Sequence, residues 1–241
     1  MEILNAGDKV INRYLLPVGE DYCLIDTGYK WSYESFVTSM KKMGVSLEKI
    51  KYLVLTHIHA DHAGFAKELL KNYPEIKLIY NEKGKPRLEA GKNDMNVYIS
   101  SLTNLFLSYA SVIFVDKTQC FPAVFTDNVL DYKTQPLSEY GIEFIELSGH
   151  TSADLAVKYQ DMLFCGDICM NGIPSTKHFP LWLENKFEVI KSWEKIIDMK
   201  DIKTLYPAHG KPFDKTELSK YIEYWRVKGV FKLFKKKSYL V

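Results

Sequence analysis

The feature that most constrains this chain is the segment THIHADHAG, residues 56–64, which gathers three of its six histidines around Asp61. The run before it, KYLVLTH, is short and rich in leucine and β-branched residues, which predicts a strand. The run after it, GFAKELLKNY, predicts a helix, because Phe65, Leu69 and Leu70 fall on one helical face. The histidines are therefore expected in a strand-to-helix loop, where α/β folds keep ligands and chemistry.

Strand and helix patterns alternate through most of the remaining chain. VINRYLLPVGEDYCLIDTG predicts two strands around a turn, YESFVTSMKKMG a helix, and KLIYN a further strand. IEFIEL, LAVKYQDMLFCGD and KTLYPAHG predict later strands, and FEVIKSWEKIIDMK a helix with Phe187, Ile190, Trp193 and Ile197 at helical spacing. Residues 84–135 interrupt this alternation with a longer, aromatic-rich segment. The patterns together predict a mixed α/β fold.

The loop offers ligands suited to a reactive metal. Imidazole and carboxylate hold zinc, iron or manganese at sites that keep a position open for substrate, whereas thiolate is typical of closed structural zinc sites. In an extended stretch alternate side chains point the same way, so His57 and His59 can face one metal. Asp61 and His62 lie past a bend and can face another. Two metals are therefore favoured over one.

Three further candidate ligands lie at predicted strand ends. They are His150 in LSGHTSAD, Asp167 in FCGDIC and His209 in YPAHG. A lone histidine is usually a surface or hydrogen-bonded core residue, but here five of the six histidines fall at strand-to-loop junctions. We interpret the set as a metal site.

These motifs resemble the metallo-β-lactamase-fold hydrolases, including their glyoxalase II-like members. The resemblance runs in order over roughly residues 11–225. His57, His59, Asp61 and His62 match the HxHxDH motif of that family. The later histidine, aspartate and histidine of the family correspond to His150, Asp167 and His209, and LIDTG with Asp26 resembles its early Asp-Thr-Gly segment.

The resemblance implies a four-layer αββα sandwich of two similar halves, with the metals at one edge between the sheets. The sandwich would span residues 1–225, with 84–135 as an insertion covering the site and 226–241 as a basic C-terminal tail.

The resemblance also implies a ligand assignment. The first metal would be held by His57, His59 and His150, the second by Asp61, His62 and His209, with Asp167 bridging them and Asp26 behind the ligands. An aspartate rather than a cysteine at position 167 fits a hard pair of ions, zinc or else iron or manganese.

The implied activity is that of a dinuclear hydrolase using a metal-bridging hydroxide, with Asp61 also taking up a proton. A small-molecule ester or thioester is the favoured substrate. Lactonases of this family share a tyrosine three residues after the bridging aspartate, where this chain has Met170. This departure disfavours a lactonase, but lactonases and phosphodiesterases of the fold stay open as alternatives, as does a persulfide dioxygenase-like oxidoreductase with one iron.

Protein nucleophiles have little support. The chain has no GxSxG elbow in GDICMNG, and Cys165 and Cys169 have no histidine left to activate them, so we expect both to be packing residues. His178, in the loop after the Asp167 strand, is either a surface residue or a substrate contact.

Charge and cysteine pattern bound the setting. Residues 226–241 carry six basic residues and no acid. Since the net charge of the whole chain is +2, residues 1–225 carry a net charge of about −4. We therefore expect no nucleic-acid partner. Four cysteines without a CxxC pair, and an N-terminus without a secretory pattern, predict a cytoplasmic protein.

Two apolar segments need separate interpretation. Met95–Val115 holds 21 residues without a charge, but seven are Asn, Ser or Thr, and a single span would separate His62 from His150. We therefore predict a helical cover over the site and no transmembrane segment. In the tail, alternating apolar and lysine residues over 227–236 suggest an amphipathic helix, docked on its own domain or on an anionic membrane.

Overall fold

The computed structural model describes residues 2–94, 97–100, 119–172, 175 and 177–232. The strands are β1 (Leu4–Asn5), β2 (Tyr14–Val18), β3 (Asp21–Ile25), β4 (Ile50–Val54), β5 (Lys77–Ile79), β6 (Tyr98–Ile99), β7 (Val129–Leu130), β8 (Ile142–Glu146), β9 (Leu155–Tyr159), β10 (Met162–Gly166), β11 (Trp182–Leu183), β12 (Thr204–Pro207), β13 (Phe213–Asp214) and β14 (Phe231–Lys232). The helices are α1 (Tyr33–Lys42), α2 (Ala60–Ala63), α3 (Ala66–Asn72), α4 (Lys85–Ala90), α5 (Lys186–Asp198) and α6 (Thr216–Val227).

The strands form two large sheets of related design. The first has the order β1-β2-β3-β4-β5-β7 and the second β13-β12-β10-β9-β8. Followed along the chain, each sheet starts with antiparallel neighbours, β2 with β3 and β9 with β10. Each then continues with a parallel pair, β3 with β4 and β10 with β12. Parallel neighbours need a crossover connection, and α1 and α5 lie in those two connections. The two halves are therefore similar, as expected.

The layers follow from the alternation of side chains along the strands. In β2, Leu15 packs in the cluster that includes Phe36 and Phe65 of the helical side, whereas Tyr14 and Leu16 pack toward the second sheet. On the far side, the second sheet packs against Trp193 of α5 and residues of α6. The predicted four-layer αββα sandwich is confirmed.

A small third sheet, β11-β6-β14, bears on two predictions and corrects the one for the tail. The described part of the predicted helical cover contains β6, a strand, and the rest of that segment lies outside the described residues. The tail is not a helix over 227–232, because α6 ends at Val227 and Lys228 is already extended. Pairing of Phe231 and Lys232 with β6 outweighs the local helical pattern, which Gly229 already weakens. Residues 233–241 lie outside the described residues.

Two further details bear on the sequence predictions. The buried face of α5 includes Val189, Ile190, Trp193 and Ile196, whereas Phe187 is 69% exposed, so the face is rotated from the expected one.

Within the described part of the chain, no helix combines the length and apolar character that crossing a membrane requires.

Candidate metal centre

The candidate ligands gather at one edge of the sandwich because their loops leave the carboxyl ends of four strands. β4 leads into the histidine loop, β8 precedes His150, β10 ends just before Asp167, and β12 ends two residues before His209. His59 is the N-cap residue of α2, and Asp61 and His62 lie within that helix. The bend expected between His59 and Asp61 is therefore the start of α2.

The first ligand group, which we define as His57, His59 and His150, converges on one point. The Nε2 of His57, the Nδ1 of His59 and the Nε2 of His150 lie 3.1 Å from one another in all three pairs. A tetrahedral zinc ion bound at about 2.0–2.1 Å holds its nitrogens about 3.3 Å apart. The triangle therefore fits one metal ion with an open fourth position.

Neighbouring groups fix the tautomers of this first ligand group. The Nδ1 of His150 lies 2.7 Å from the carbonyl oxygen of Trp182, which can only accept, so this nitrogen carries the proton. The Thr56 hydroxyl donates to Asp26 and therefore accepts from the Nδ1 of His57 at 3.2 Å. Both Nε2 atoms are then left with a lone pair for a metal.

The second ligand group, which we define as Asp61, His62 and His209, lies beside the first. The Nε2 of His209 is 3.3 Å from the Oδ2 of Asp61, and the Nε2 of His62 is 3.9 Å from the same atom. The donor atoms of all three lie within 4.8 Å of one another, close enough to hold a second ion.

Asp167 lies between the two groups. Its Oδ2 is 3.4 Å from the Nε2 of His209 and 3.8 Å from the Nε2 of His150, and its Oδ1 is 3.6 Å from the Nε2 of His62. This Oδ1 and the Nε2 of His62 are buried without a hydrogen-bond partner among the described residues. Buried polar atoms are normally paired, so an orphaned nitrogen and oxygen facing each other fit a bound cation.

A hydrogen-bonded support holds the histidines of the second group. The Oδ2 of Asp26 accepts from the Nδ1 of His62 at 2.9 Å, and Asp26 also accepts from the backbone and hydroxyl of Thr56 at 2.8 Å each. The Nδ1 of His209 donates to the carbonyl of Val10 at 2.6 Å. Such outer partners orient metal-binding histidines and raise their basicity.

The electrostatics of the two groups differ. Burial, reinforced by the neighbouring imidazoles, lowers the pKa of His57, His59 and His150, which keeps them neutral. Burial also acts on His62 and His209, but nearby carboxylates outweigh it and raise the pKa of His209 to about 9 and that of His62 well above its usual value. For Asp61 and Asp167, burial acts to raise the pKa, but the nearby histidines together lower it by more, so the pKa of both carboxyl groups is lowered.

One glycine brings the two halves into close contact behind the site. Gly166, at the end of β10, has φ of +53°, and a Cβ there would lie 2.7 Å from the hydroxyl oxygen of Thr56. The backbone before Asp167 therefore passes directly over the residue that supports His57 and His62.

A cavity of about 510 Å³ opens above the ligands. Besides His59, Asp61, His150, Asp167 and His209, the described residues that line it are Lys9, Val10, Tyr29, Met170, Gly172, Leu181, Trp182 and Gly210. This volume is typical of small-molecule sites.

The structure brings together the seven predicted ligands and Asp26. His178 stacks on Phe213 with ring centroids 4.1 Å apart and is not among the described lining residues, so its substrate contact stays a prediction. Cys165 and Cys169 are buried free thiols in the core cluster of the second half.

Sequence patterns missed several residues of the site. Thr56, Tyr29 and Trp182 support ligands or line the cavity, yet none of them belongs to a ligand motif. Tyr29 and Thr56 had a signal, since Tyr29 follows the Asp-Thr-Gly segment directly and Thr56 directly precedes the histidine motif.

Comparison with known proteins agrees with this geometry. The chain is 26% identical over 220 residues to a probable metallo-hydrolase of Methanocaldococcus jannaschii, covering 90% of this chain and 95% of that one. It is 27% identical over 165 residues to an atrochrysone carboxyl ACP thioesterase of Emericella nidulans, covering 64% of this chain and 52% of that one.

Solved structures share the fold. The subclass B3 metallo-β-lactamase of Bradyrhizobium japonicum superposes with a TM-score of 0.63 at 20% identity, covering 93% of this chain and 88% of that one. The sequence model of the metallo-β-lactamase superfamily matches residues 6–209, which include all seven candidate ligands. The chain therefore belongs to the metallo-β-lactamase superfamily, and its class of activity is metal-dependent hydrolysis.

Proposed function

We propose that the chain is a dinuclear hydrolase of a small ester or thioester. The observation that carries this proposal is the arrangement of seven donors as two adjacent groups with Asp167 between them, beneath a cavity of about 510 Å³. The first ligand group would hold one ion and the second ligand group the other. Zinc is the favoured metal, with iron or manganese as alternatives for this nitrogen and oxygen donor set.

Two divalent ions, when bound, supply an activated water and polarise the substrate oxygen. The chain does the positioning. The three neutral imidazoles of the first ligand group present lone pairs without needing to lose a proton. Asp26, Val10 and Trp182 hold His62, His209 and His150 in fixed orientations. Because these supports exist without substrate, little reorganisation is needed on binding.

Asp61 is the group that we propose to move a proton. Its carboxylate lines the cavity, and its Oδ2 lies 3.3 Å from the Nε2 of His209. It can therefore accept a proton from the attacking water while it helps to hold the second ion. The buried thiols Cys165 and Cys169 are not needed, and burial raises the pKa of Cys169 well above its usual value, which disfavours the thiolate.

Two observations support an ester or thioester as substrate. The relative from Emericella nidulans is named a thioesterase, and the sulfur-containing side chain of Met170 lines the cavity at the position where lactonases of this family resemble one another in a tyrosine. The expected cytoplasmic location stays a prediction, with the four free cysteines as its support.

Metal content and a substrate panel test this function together. We expect about two ions per chain by inductively coupled plasma mass spectrometry, and hydrolysis of thioesters and esters ahead of lactones and phosphodiesters. His62→Ala should lose metal and nearly all turnover, whereas the control Cys169→Ser should keep both. One iron per chain with oxygen consumption on a persulfide would instead establish the dioxygenase alternative.

A further inference from the structure

The cavity has two chemically different ends, each tied to one ligand group. At the first end, which we call the open end, lie Lys9, Val10 and Tyr29. The carbonyl of Val10 accepts from His209 at 2.6 Å, and the Asp61 carboxylate is the main cause that raises the pKa of the Tyr29 phenol. The open end therefore adjoins the second ligand group.

A second part of the lining, which we call the apolar end, is formed by Met170, Leu181 and Trp182. The carbonyl of Trp182 accepts from His150 at 2.7 Å, so this end adjoins the first ligand group. The backbone nitrogen of Leu181 lies 3.4 Å from the sulfur of Met170, which shows that these residues form one continuous wall.

The two ends also differ in exposure. Lys9 is exposed and Val10 is 54% exposed, so the open end faces solvent. Met170 is 6% exposed, and Leu181 and Trp182 are half-buried, so the apolar end is more buried than Lys9 and Val10. A group that enters the apolar end gives up part of its water, which favours a hydrocarbon and penalises a charge.

The loop that carries Lys9 is held in place. Asp8 accepts from the backbone nitrogens of Val10 at 2.7 Å and Ile11 at 3.2 Å. Its other carboxylate oxygen pairs at 2.6 Å with Arg13, a fully buried residue. The acid beside Lys9 is therefore committed to Arg13, and Lys9 itself is an exposed residue of the cavity lining.

We propose that the substrate is a thioester or ester with a short apolar acyl group, seated at the apolar end, and an anionic leaving group, held by Lys9 at the open end. This inference rests on the proposed hydrolase function. The solvent-facing open end suits the longer, charged arm, whereas the more buried apolar end suits the acyl group. Hydrolysis of such a thioester forms a C–O bond from water, breaks the C–S bond and transfers one proton of the water to the sulfur.

The expected effects follow from exposure and buried area. An exposed ion pair contributes little, so a negative charge on the leaving group should raise kcat/KM about two- to fivefold at low salt, and less as salt screens it. Each methylene added to the acyl group should raise kcat/KM roughly fourfold until the apolar end is full.

Matched substrates test both ends by hydrolysis. Acetyl, butyryl and hexanoyl thioesters of 3-mercaptopropionate are compared with the same thioesters of 3-mercaptopropionamide, which differ in charge but hardly in shape. We define the charge preference as the ratio of kcat/KM for the mercaptopropionate thioester to that for the matching amide. Lys9→Met should bring this ratio close to one, and Lys9→Glu should lower it below one. Lys67→Met, which changes an exposed lysine on α3, should leave the ratio unchanged. Leu181→Ala and Trp182→Ala should reduce the gain per methylene.

A binding measurement separates this inference from the hydrolase proposal. S-hexyl 3-mercaptopropionate and its amide are thioethers that cannot be hydrolysed, and their affinities for the wild type and variants can be compared by calorimetry. If the Lys9 and Leu181 variants change these affinities as expected while no thioester is cleaved, the hydrolase proposal fails and the two-ended cavity stands. A charge preference undiminished in Lys9→Met, or no dependence on acyl length, would overturn the inference.

Discussion

The first and second ligand groups differ in charge, although they lie side by side. The first consists of three imidazoles that burial keeps neutral, and the second combines Asp61 with two histidines whose pKa values the carboxylates raise. The donor nitrogens of the first group lie 3.1 Å from one another, and these neutral imidazoles need lose no proton to bind a cation. The second group instead concentrates opposite charges, so a bound cation must displace protons there.

The largest expected effect comes from removing the carboxylate that the two groups share. Asp167→Ala should lower turnover by more than about a hundredfold, since even outer partners of ligands cost 10–100-fold. His59→Ala, which touches only the first group, should leave the second group able to bind. Metal content should then fall further in Asp167→Ala than in His59→Ala. Equal metal loss in the two variants would contradict the distinction between the groups.

Asp26→Asn should act mainly on the second group, because Asp26 bonds directly to His62 and reaches His57 only through Thr56. The neutral amide weakens the hydrogen bond to the Nδ1 of His62, so affinity for the second ion should fall about 10- to 100-fold. Chelator competition, titrated in two steps, measures the two affinities separately. A matched control is Asp131→Asn, at a solvent-facing turn, which should change neither step. Loss of the first step in Asp26→Asn would show that the groups are not independent.

Gly166→Ala tests the close contact behind the site. The positive φ alone should cost about 1–2 kcal/mol, and the contact with Thr56 a further 1–3 kcal/mol or so. Gly141→Ala isolates the first effect, because Gly141 has φ of +73° and nothing within 4 Å of an added Cβ. Urea denaturation of the metal-free proteins compares them. The proposed close packing is wrong if the two variants lose the same free energy of unfolding.

The smallest effect is expected from truncation after Trp225. It removes the pairing of β14 with β6 and two hydrogen bonds from Lys186 to the carbonyls of Arg226 and Lys228, for a loss of about 1–2 kcal/mol. Both ligand groups lie elsewhere, so metal content should be unchanged. Denaturation midpoints and metal analysis of the truncated chain are the measurements. Salt-sensitive sedimentation with anionic vesicles, lost on truncation, would assign the tail to a membrane surface instead.

The candidate ligands and Asp26 were predictable from the sequence, whereas the other groups that support the ligands were not. Four of the candidate ligands can be recognised in the sequence because one loop presents all of them, which fixes their spacing: His57, His59, Asp61 and His62. The group that holds His209 is the carbonyl of Val10, and a backbone carbonyl is present at every residue, so no pattern marks it. The role of Thr56 was not predicted for a similar reason, since it depends on Asp26, which lies 30 residues earlier and is brought to it by the fold.

The fold shows the same division. The strands β2, β3, β4 and β10 lie where apolar runs predicted them, because each is buried on both faces by neighbouring layers. The tail pattern after Val227 was misleading, because a partner strand 130 residues earlier in the chain decides its conformation. Local periodicity reports burial, but it does not identify the partner.

The bond between His209 and Val10 joins residues 199 positions apart. During synthesis, the donors of the first group are all present once residue 150 has been added, whereas the second group must wait for residue 209. At about 5–20 residues per second, roughly 3–12 seconds separate the two events. The three donors of the first group are therefore synthesised first, and the second group can form only after His209 returns to Val10, near the start of the chain.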